Sequence, residues 1–203
     1  MSIKNIVSQE KLGTNYMSKE PMDDSFGCKL YQSSTIKDNY EDFLEATKVA
    51  YTVYQHNFLE KDSTKNYNKY NLFSFTANSV LYYNLFKELS GFIRDYIGDD
   101  RPLWMESWIN FHKHDEVLEL HSHYFAYHGY ISVDPKNTTT IFPYVKNPVE
   151  NKIGQIYIGP GGDDYAHYVK VNEPYEGTRV TIGFDISPTQ NHVQSNLSFI
   201  PII

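Results

Sequence analysis

The chain has 203 residues, of which 40% are hydrophobic and 21% are charged, and its formal net charge is −7. This length suits one domain with a substantial core; the acidic balance argues against general nucleic-acid binding, and the single cysteine, Cys28, excludes internal disulfides and cysteine-based zinc clusters. Because no segment approaches the roughly 18 apolar residues of a membrane span and residues 1–5 lack the apolar stretch of a signal peptide, we expect a cytoplasmic protein without membrane association.

The beginning of the chain predicts a leader followed by a helix. Residues 1–36 are polar and show few periodic signals, so they predict an irregular or loosely paired leader. Over residues 39–59 apolar side chains recur at helical spacing, which predicts a helix. Asp38 or Asn39 can cap its first turn, since short polar side chains accept hydrogen bonds from the free backbone N–H groups there.

A linker and a second helix come next. Residues 60–72 are rich in Asn, Lys and Tyr and predict a linker. A helix is predicted over about 76–97 because a set of apolar side chains shares one helical face, namely Tyr82, Leu85, Phe86, Leu89, Phe92, Ile93 and Tyr96. Gly98 is a suitable stop, since glycine tolerates the left-handed conformation that commonly ends a helix.

After Asp100 the pattern changes to short β-like runs separated by turn residues. The runs cover residues 103–112, 127–133, 138–144, 153–159, 165–172 and 179–186. Strand-sized segments at such intervals predict a sandwich or jelly roll. The sequence therefore predicts an α+β fold in a single domain, 1–203, with a leader and helical support over 1–100 and a β core over 101–203.

Histidines are concentrated in one part of the chain, since six of the eight lie between residues 112 and 167. Side chains two apart on an extended segment point to the same side, so His121 and His123 can grip one metal ion, with His167 as the best candidate for a third ligand. Three ligands on one face of an octahedral iron leave three positions open, which suits a chelating cosubstrate plus O2. The pair of His121 and His123 alone is weak evidence for a metal site, because His112 and His114 have the same spacing. A single histidine, moreover, more often has a structural role.

Arg179 is the second signal. Strand alternation places Arg179, Thr181 and Gly183 on one face. An arginine that points into a β core is costly unless an anion pairs with it, and a bound dicarboxylate would be gripped bidentately by the guanidinium. The alternative is an arginine at the start of a strand that faces water in an ordinary surface pair.

The order of these features resembles the 2-oxoglutarate- and Fe(II)-dependent oxygenases, in particular small members found in tailed bacteriophages and marine bacteria. In that family a Trp-x-Asn strand leads to a histidine pair, a Gly-Tyr strand follows, and a distal histidine precedes an Arg-x-Ser or Arg-x-Thr strand. The matching segments are Trp108-Ile109-Asn110, His121-Ser122-His123, Gly129-Tyr130, His167 and Arg179-Val180-Thr181. The resemblance covers roughly residues 104–187.

The resemblance implies a double-stranded β-helix, that is, a jelly-roll or cupin-like core with N-terminal helices packed against it. It implies an oxidoreductase, a dioxygenase that uses Fe(II), 2-oxoglutarate and O2. Hydroxylation is expected only because it is the commonest reaction of such enzymes. The substrate stays open among a protein side chain, a small metabolite and a nucleobase. A homodimer is compatible with the sequence, and a viral protein would act in the host cytoplasm.

The resemblance also assigns the metal ligands. His121 and His167 would be two imidazole ligands, and His123 would be the third. Most members of the wider superfamily have Asp or Glu at the third position, so Asp115 and Glu119 are alternative ligands. The resemblance assigns no catalytic side chain beyond the metal ligands.

The cosubstrate would be held by a separate set of residues. The resemblance implies that Arg179 pairs with the distal carboxylate of 2-oxoglutarate. It implies further hydrogen bonds to the cosubstrate from Asn110, Tyr130 and Thr181.

Two other functions fit parts of the pattern. A non-enzymatic jelly roll, such as a virion component or a binding module, would need no link between the histidine pair and the later segment from His167 to Arg179. A cupin-like dioxygenase with three histidines but no 2-oxoglutarate would have no use for Arg179, because it binds no dicarboxylate.

Overall fold

The structure is a computed structural model that describes residues 27–58, 62–116, 118–144, 148–188 and 198–202. Most of the predicted leader, residues 1–26, lies outside the described residues. Its described end is ordered: strand β1 (Lys29–Gln32) is followed by the short helix α1 (Ser34–Asp38). Ser33 caps α1, since its hydroxyl accepts a hydrogen bond from the Ile36 N–H at 3.1 Å.

Two long helices support the β core, and their prediction is confirmed. Helix α2 spans Tyr40–Asn57 and helix α4 spans Val80–Ile97. Asn39 occupies the cap position of α2, but its amide donates to the Thr35 carbonyl instead of capping the helix. None of the described helices combines the length and the apolar character needed to cross a bilayer.

The predicted linker is partly helical. It contains a 3-10 turn (Thr64–Asn66), and its last residue begins the short helix α3 (Leu72–Phe75). The Asn71 side chain caps α3, and Ser79 caps α4, so α4 begins at residue 80 and not at the predicted residue 76. Gly98 ends α4 in the left-handed conformation with φ 78°, as predicted.

The larger of two antiparallel sheets has six strands in the order β1-β6-β3-β8-β2-β9. Its strands after β1 are β2 (Trp104–His112), β3 (Tyr127–Asp134), β6 (Gln155–Pro160), β8 (Arg179–Ser187) and β9 (Ile200–Pro201). The central strand β8 pairs with β2 along its whole length and with β3 on its other side. Strand β8 is buried at every position and is paired on both sides, so it holds its side chains in fixed places.

The smaller sheet has three strands in the order β5-β4-β7: β4 (Thr138–Ile141), β5 (Val149–Glu150) and β7 (Tyr168–Val171). An isolated antiparallel bridge between His121 and His167 extends it past β7. A second 3-10 turn, Asp163–Tyr165, precedes that bridge. The predicted α+β class is thus confirmed as helices with antiparallel sheets, while closure into a double-stranded β-helix stays a prediction.

The two faces of the large sheet have different neighbours because side chains alternate along each strand. One face packs on the helices: Ile109, Ile131, Ile158, Ile182 and Phe184 belong to the same core cluster as Phe43, Leu85, Leu89 and Ile93. Burial of these apolar side chains is the main stabilising contribution to the fold. The opposite face carries the polar residues of the candidate site.

Candidate metal and anion site

The polar face of β2 and β8 forms a ladder of opposed residues. From one end to the other the pairs are His112–Arg179, Asn110–Thr181, Trp108–Gly183 and Glu106–Asp185. Directly opposed residues on antiparallel strands place their side chains on the same face. The ladder therefore carries a guanidinium at one end and two carboxyl groups at the other, about 20 Å apart along the strand.

The three histidines of the predicted metal site lie together. His121 and His167 face each other across the isolated bridge, with backbone N···O distances of 3.0 and 2.9 Å. One ligand atom from each of His121, His123 and His167 lies within 4.8 Å of the other two. Among the described residues, this group does not include Asp115 or Glu119.

Each of the three imidazoles has an oxygen partner for its Nδ1 atom. His121 Nδ1 lies 2.8 Å from the Glu119 carbonyl, and His167 Nδ1 lies 3.2 Å from the Tyr165 carbonyl. His123 Nδ1 lies 2.7 Å from Asp185 Oδ1. Because a carbonyl only accepts, the ring nitrogen must donate, and the Nε2 lone pair is left free for a metal ion.

Burial keeps the rings of His121 and His167 in the form that binds metal. Burial, together with the neighbouring His123, lowers the pKa of His121 to about 4. Burial and the neighbouring histidines lower the pKa of His167 well below its ordinary value. Both rings are therefore neutral at pH 7, which is the state that donates a lone pair. Imidazole nitrogens suit a divalent transition metal.

A fourth histidine, His128, stands behind the cluster. It is fully buried on β3, and its ring stacks on His123 at a centroid distance of 4.4 Å and on His167 at 5.1 Å, with an interplanar angle of 9° in both cases. Burial and the nearby His123 lower the pKa of His128 well below its ordinary value. The uncharged ring of His128 thus packs against His123 and His167 and restricts the orientations of their side chains.

Arg179 is buried at the other end of the ladder, with 3% of its surface exposed. Among the described residues, its Nε and Nη1 atoms find no hydrogen-bond partner. Burial lowers the pKa of Arg179 to about 10, so the guanidinium stays charged at pH 7. A buried cation with free donors is costly unless an anion occupies the space in front of it.

His112 lies beside Arg179 and was not predicted as a site residue. Burial, followed by the positive charge of Arg179, lowers the pKa of His112 to about 4. Its Nδ1 atom is buried without a hydrogen-bond partner among the described residues. A neutral His112 thus adds a second polar group to the anion end, whereas His114, the other member of that histidine pair, packs edge-on against Tyr175.

The remaining predicted cosubstrate residues line the same face. The Asn110 side chain is held between Thr64, whose hydroxyl donates to Asn110 Oδ1 at 2.6 Å, and the Thr181 hydroxyl at 3.3 Å. Tyr130 is buried on β3, and its ring stacks on Tyr157 at a centroid distance of 5.3 Å. Asn110, Thr181 and Tyr130 all border one cavity with Arg179.

This cavity has a volume of about 1000 Å³ and joins both ends of the ladder. The three clustered histidines, Arg179 and Asp185 all contribute to its lining. Its other walls include aromatic and charged side chains at Tyr51, Lys65, Tyr67, Trp108, Glu116, Tyr124 and Phe125. A small dicarboxylate would occupy only part of this volume, so a second molecule fits beside it.

Asp185 was not predicted as a site residue, although the alternation along its strand places it on the site's face. The alternation that groups Arg179, Thr181 and Gly183 reaches Asp185 at the next step. His112 lies on the matching face of β2, two residues after Asn110. His128 carried no comparable signal, because its contact with the cluster depends on the pairing of β3 with β8.

Comparison with known proteins gives a match in structure alone. No protein-family profile matches the sequence, and no curated protein sequence matches it significantly. A truncated form of the viral collagen prolyl hydroxylase from Paramecium bursaria Chlorella virus-1 has a TM-score of 0.53 at 10% identity, over 85% of this chain and 95% of that chain. The same protein in complex with 2OG has a TM-score of 0.52 at 10% identity, over 80% and 97%. The chain shares the fold of this prolyl hydroxylase.

Proposed function

We propose that this protein is an Fe(II)- and 2-oxoglutarate-dependent oxygenase that hydroxylates a C–H bond. The observation that carries the proposal is the buried Arg179, whose unpaired donors border the same cavity as three clustered histidines. The fold shared with a prolyl hydroxylase that was solved with 2OG supports the same conclusion. Fe(II) and 2-oxoglutarate, when bound, supply the oxidation chemistry: 2-oxoglutarate, O2 and R–H give succinate, CO2 and R–OH.

The side chains have distinct parts in this proposal. His121, His123 and His167 would hold the metal through their Nε2 atoms, since their Nδ1 atoms have oxygen partners. Arg179 would pair with the distal carboxylate of 2-oxoglutarate, which supplies the anion that its burial demands. The side chains of Asn110, Thr181 and Tyr130 would orient the cosubstrate by hydrogen bonds.

The first test is an anaerobic Fe(II) titration with and without 2-oxoglutarate. We expect a weak visible charge-transfer band that requires both components. In an Arg179→Met variant the 2-oxoglutarate concentration needed for half of this band should rise at least about 100-fold, since a buried charge-assisted contact is worth roughly 3 kcal/mol. Lys65→Met is a matched control, because Lys65 lines the same cavity but pairs with Asp62 at 3.4 Å.

The outcomes separate the alternative functions. Iron binding that needs the histidines but is indifferent to 2-oxoglutarate would favour a three-histidine dioxygenase of another type. The absence of iron binding would favour a non-enzymatic jelly-roll protein. A band that Lys65→Met weakens as much as Arg179→Met would show that the general positive charge of the cavity, and not Arg179, attracts the cosubstrate.

The substrate class is open to a direct assay. Because the structurally similar viral protein is a collagen prolyl hydroxylase, proline-rich peptides are the first candidates for this chain, followed by small metabolites and nucleobases. Succinate release that depends on an added candidate, together with a mass gain of one oxygen in that candidate, would identify the substrate.

A further inference from the structure

Three histidine ligands leave the candidate metal centre without a negative charge of its own. An imidazole ligand brings no negative charge to a metal ion, and the buried Arg179 adds a positive charge to the same cavity. A divalent metal ion in such a cavity is poorly compensated unless a carboxylate lies close by. Among the residues that line the described cavity, Asp185 is the carboxylate that contacts a histidine of the cluster.

The contact between Asp185 and His123 is short and shielded from water. Asp185 Oδ1 lies 2.7 Å from His123 Nδ1, and the two side chains are 5% and 10% exposed. The backbone of Asp185 is fixed on both sides, since it pairs with Glu106 on β2 and with His128 on β3. The carboxylate can therefore hold the ring of His123 in one orientation.

The three histidines differ in the chemical group that contacts the Nδ1 atom. The Nδ1 partners of His121 and His167 are neutral backbone carbonyls, whereas the partner of His123 is a side-chain carboxylate. A carboxylate partner makes an imidazole a stronger electron donor than a carbonyl does. His123 stands at the position where most related oxygenases have a carboxylate ligand. It is also the candidate ligand whose Nδ1 atom contacts a carboxylate, that of Asp185.

We propose that Asp185 is a positioning residue that orients His123 toward the metal and supplies, through the imidazole, the negative charge that the ligand set lacks. This inference rests on the proposed function. It also predicts that the orientation of His123 and the supply of negative charge can be tested separately. Asp185→Asn keeps an oxygen acceptor for Nδ1–H and removes only the charge. Asp185→Ala removes both the acceptor and the charge.

The test is the affinity of the protein for Co(II), an air-stable substitute for Fe(II), measured by calorimetry together with the visible Co(II) spectrum. We expect Asp185→Asn to weaken Co(II) binding about 10-fold and Asp185→Ala to weaken it by up to about 100-fold. Asp163→Asn is the matched control, since Asp163 is an exposed carboxylate that contacts Ser122 Oγ at 2.7 Å and belongs to the neighbouring turn. Its Co(II) affinity should equal that of the wild type.

Thermal unfolding without metal distinguishes this role from a structural one. Asp185 and Glu106 are two buried carboxyl groups opposite each other, so Asp185→Asn should leave the apo protein at least as stable as the wild type. Equal Co(II) affinity in the wild type and in both Asp185 variants would overturn the inference and leave the proposed function intact. Failure of the wild type itself to bind Co(II) or Fe(II) would overturn both.

Discussion

Gly129 and Gly91 show how differently a single missing side chain matters in this fold. A Cβ atom on Gly129 of β3 would lie 2.2 Å from the Phe184 ring and 2.3 Å from the backbone oxygen of Tyr157. The ring can shift, but the oxygen belongs to the neighbouring strand β6 of the large sheet. A Cβ atom on Gly91 of α4 would meet no atom within 4 Å.

We therefore expect opposite effects from two Gly→Ala substitutions. Gly129→Ala should lower the free energy of unfolding by about 1–3 kcal/mol, because it overpacks the sheet. Gly91→Ala should raise it by up to about 1 kcal/mol, because alanine is the better helix former. Urea unfolding of both variants measures the difference, and a Gly129→Ala protein as stable as the wild type would show that the two strands separate more easily than their pairing indicates.

Individual residues of the candidate site could be predicted only where residues close together in the sequence form a recognisable pattern. Spacing along one strand groups His121 with His123 and Arg179 with Thr181. The sequence alone does not show that His121 bridges to His167 or that Asp185 meets His123, since these contacts join segments 46 and 62 residues apart. Such long-range pairing depends on the whole sheet topology.

Among the secondary-structure elements, α1 and α4 are joined by one carboxylate. Glu88 on α4 accepts hydrogen bonds from the Ser33 hydroxyl at 2.6 Å, from the Ser34 hydroxyl and from the Thr35 N–H at 3.1 Å. These donors surround the beginning of α1, where backbone N–H groups lack partners within the helix. Burial alone would raise the pKa of Glu88, but the hydrogen bonds outweigh it and lower the pKa below its usual value.

We expect Glu88→Gln to destabilise the protein by about 1–2 kcal/mol at pH 7, after allowance for the exposed part of the site. A carboxyl group whose pKa is lower in the folded state stabilises the protein above its unfolded-state pKa, and this contribution is lost as the pH falls through the folded-state value. The difference between wild type and variant should thus shrink below about pH 4. Glu45→Gln is the control, since Glu45 on α2 is exposed and pairs only loosely with Lys48 at 3.7 Å.

If unfolding curves at pH 7 and pH 3.5 gave the same loss for Glu88→Gln, the stabilisation would come from packing of the side chain and not from its charge. If Glu45→Gln matched Glu88→Gln at both pH values, a general charge effect would explain the result. The expected pattern, a loss confined to Glu88→Gln and to neutral pH, would place the contribution at the start of α1.

Predictability of the elements follows their length and burial. Helix α4 and strand β8 were predicted because each carries a long apolar pattern with a clear period. Strand β1 was not predicted, because it is an edge strand with three exposed residues of four. The two-residue strands β5 and β9 are too short for any periodicity to show.

In the whole molecule, the candidate site lowers the free energy of unfolding, and the packing of the rest of the fold compensates for this loss. The face of the large sheet that packs on the helices is apolar, while the opposite face holds a buried arginine and two opposed carboxyl groups, one of which contacts the clustered histidines. Unpaired buried polar groups oppose folding. A cavity of about 1000 Å³ beside them removes packing contacts as well. A protein that retains such features is expected to become more stable when the intended ligands bind.

Arg179→Met tests this balance. Methionine fills similar space without buried donors, so the variant should be more stable than the wild type without ligand, by about 1–3 kcal/mol. For a protein of this size, each kcal/mol raises the melting temperature by about 2–4 °C. Arg94→Met is the matched control: the Arg94 guanidinium donates to the carbonyls of Arg101 at 2.6 Å and Ile202 at 3.2 Å, so its loss should lower the melting temperature.

The stability advantage of Arg179→Met should then shrink with ligand, and it should reverse if it is smaller than the extra stabilisation that the wild type gains. Co(II) with 2-oxoglutarate at about 100 times its dissociation constant should stabilise the wild type by about 2.7 kcal/mol, and Arg179→Met should gain only the part that comes from the metal. Scanning calorimetry with and without the two ligands measures both effects. An Arg179→Met protein that is less stable than the wild type without ligand would mean that Arg179 is paired within the fold. In that case its burial would no longer argue for a bound anion, and the proposed cosubstrate would lose its main support.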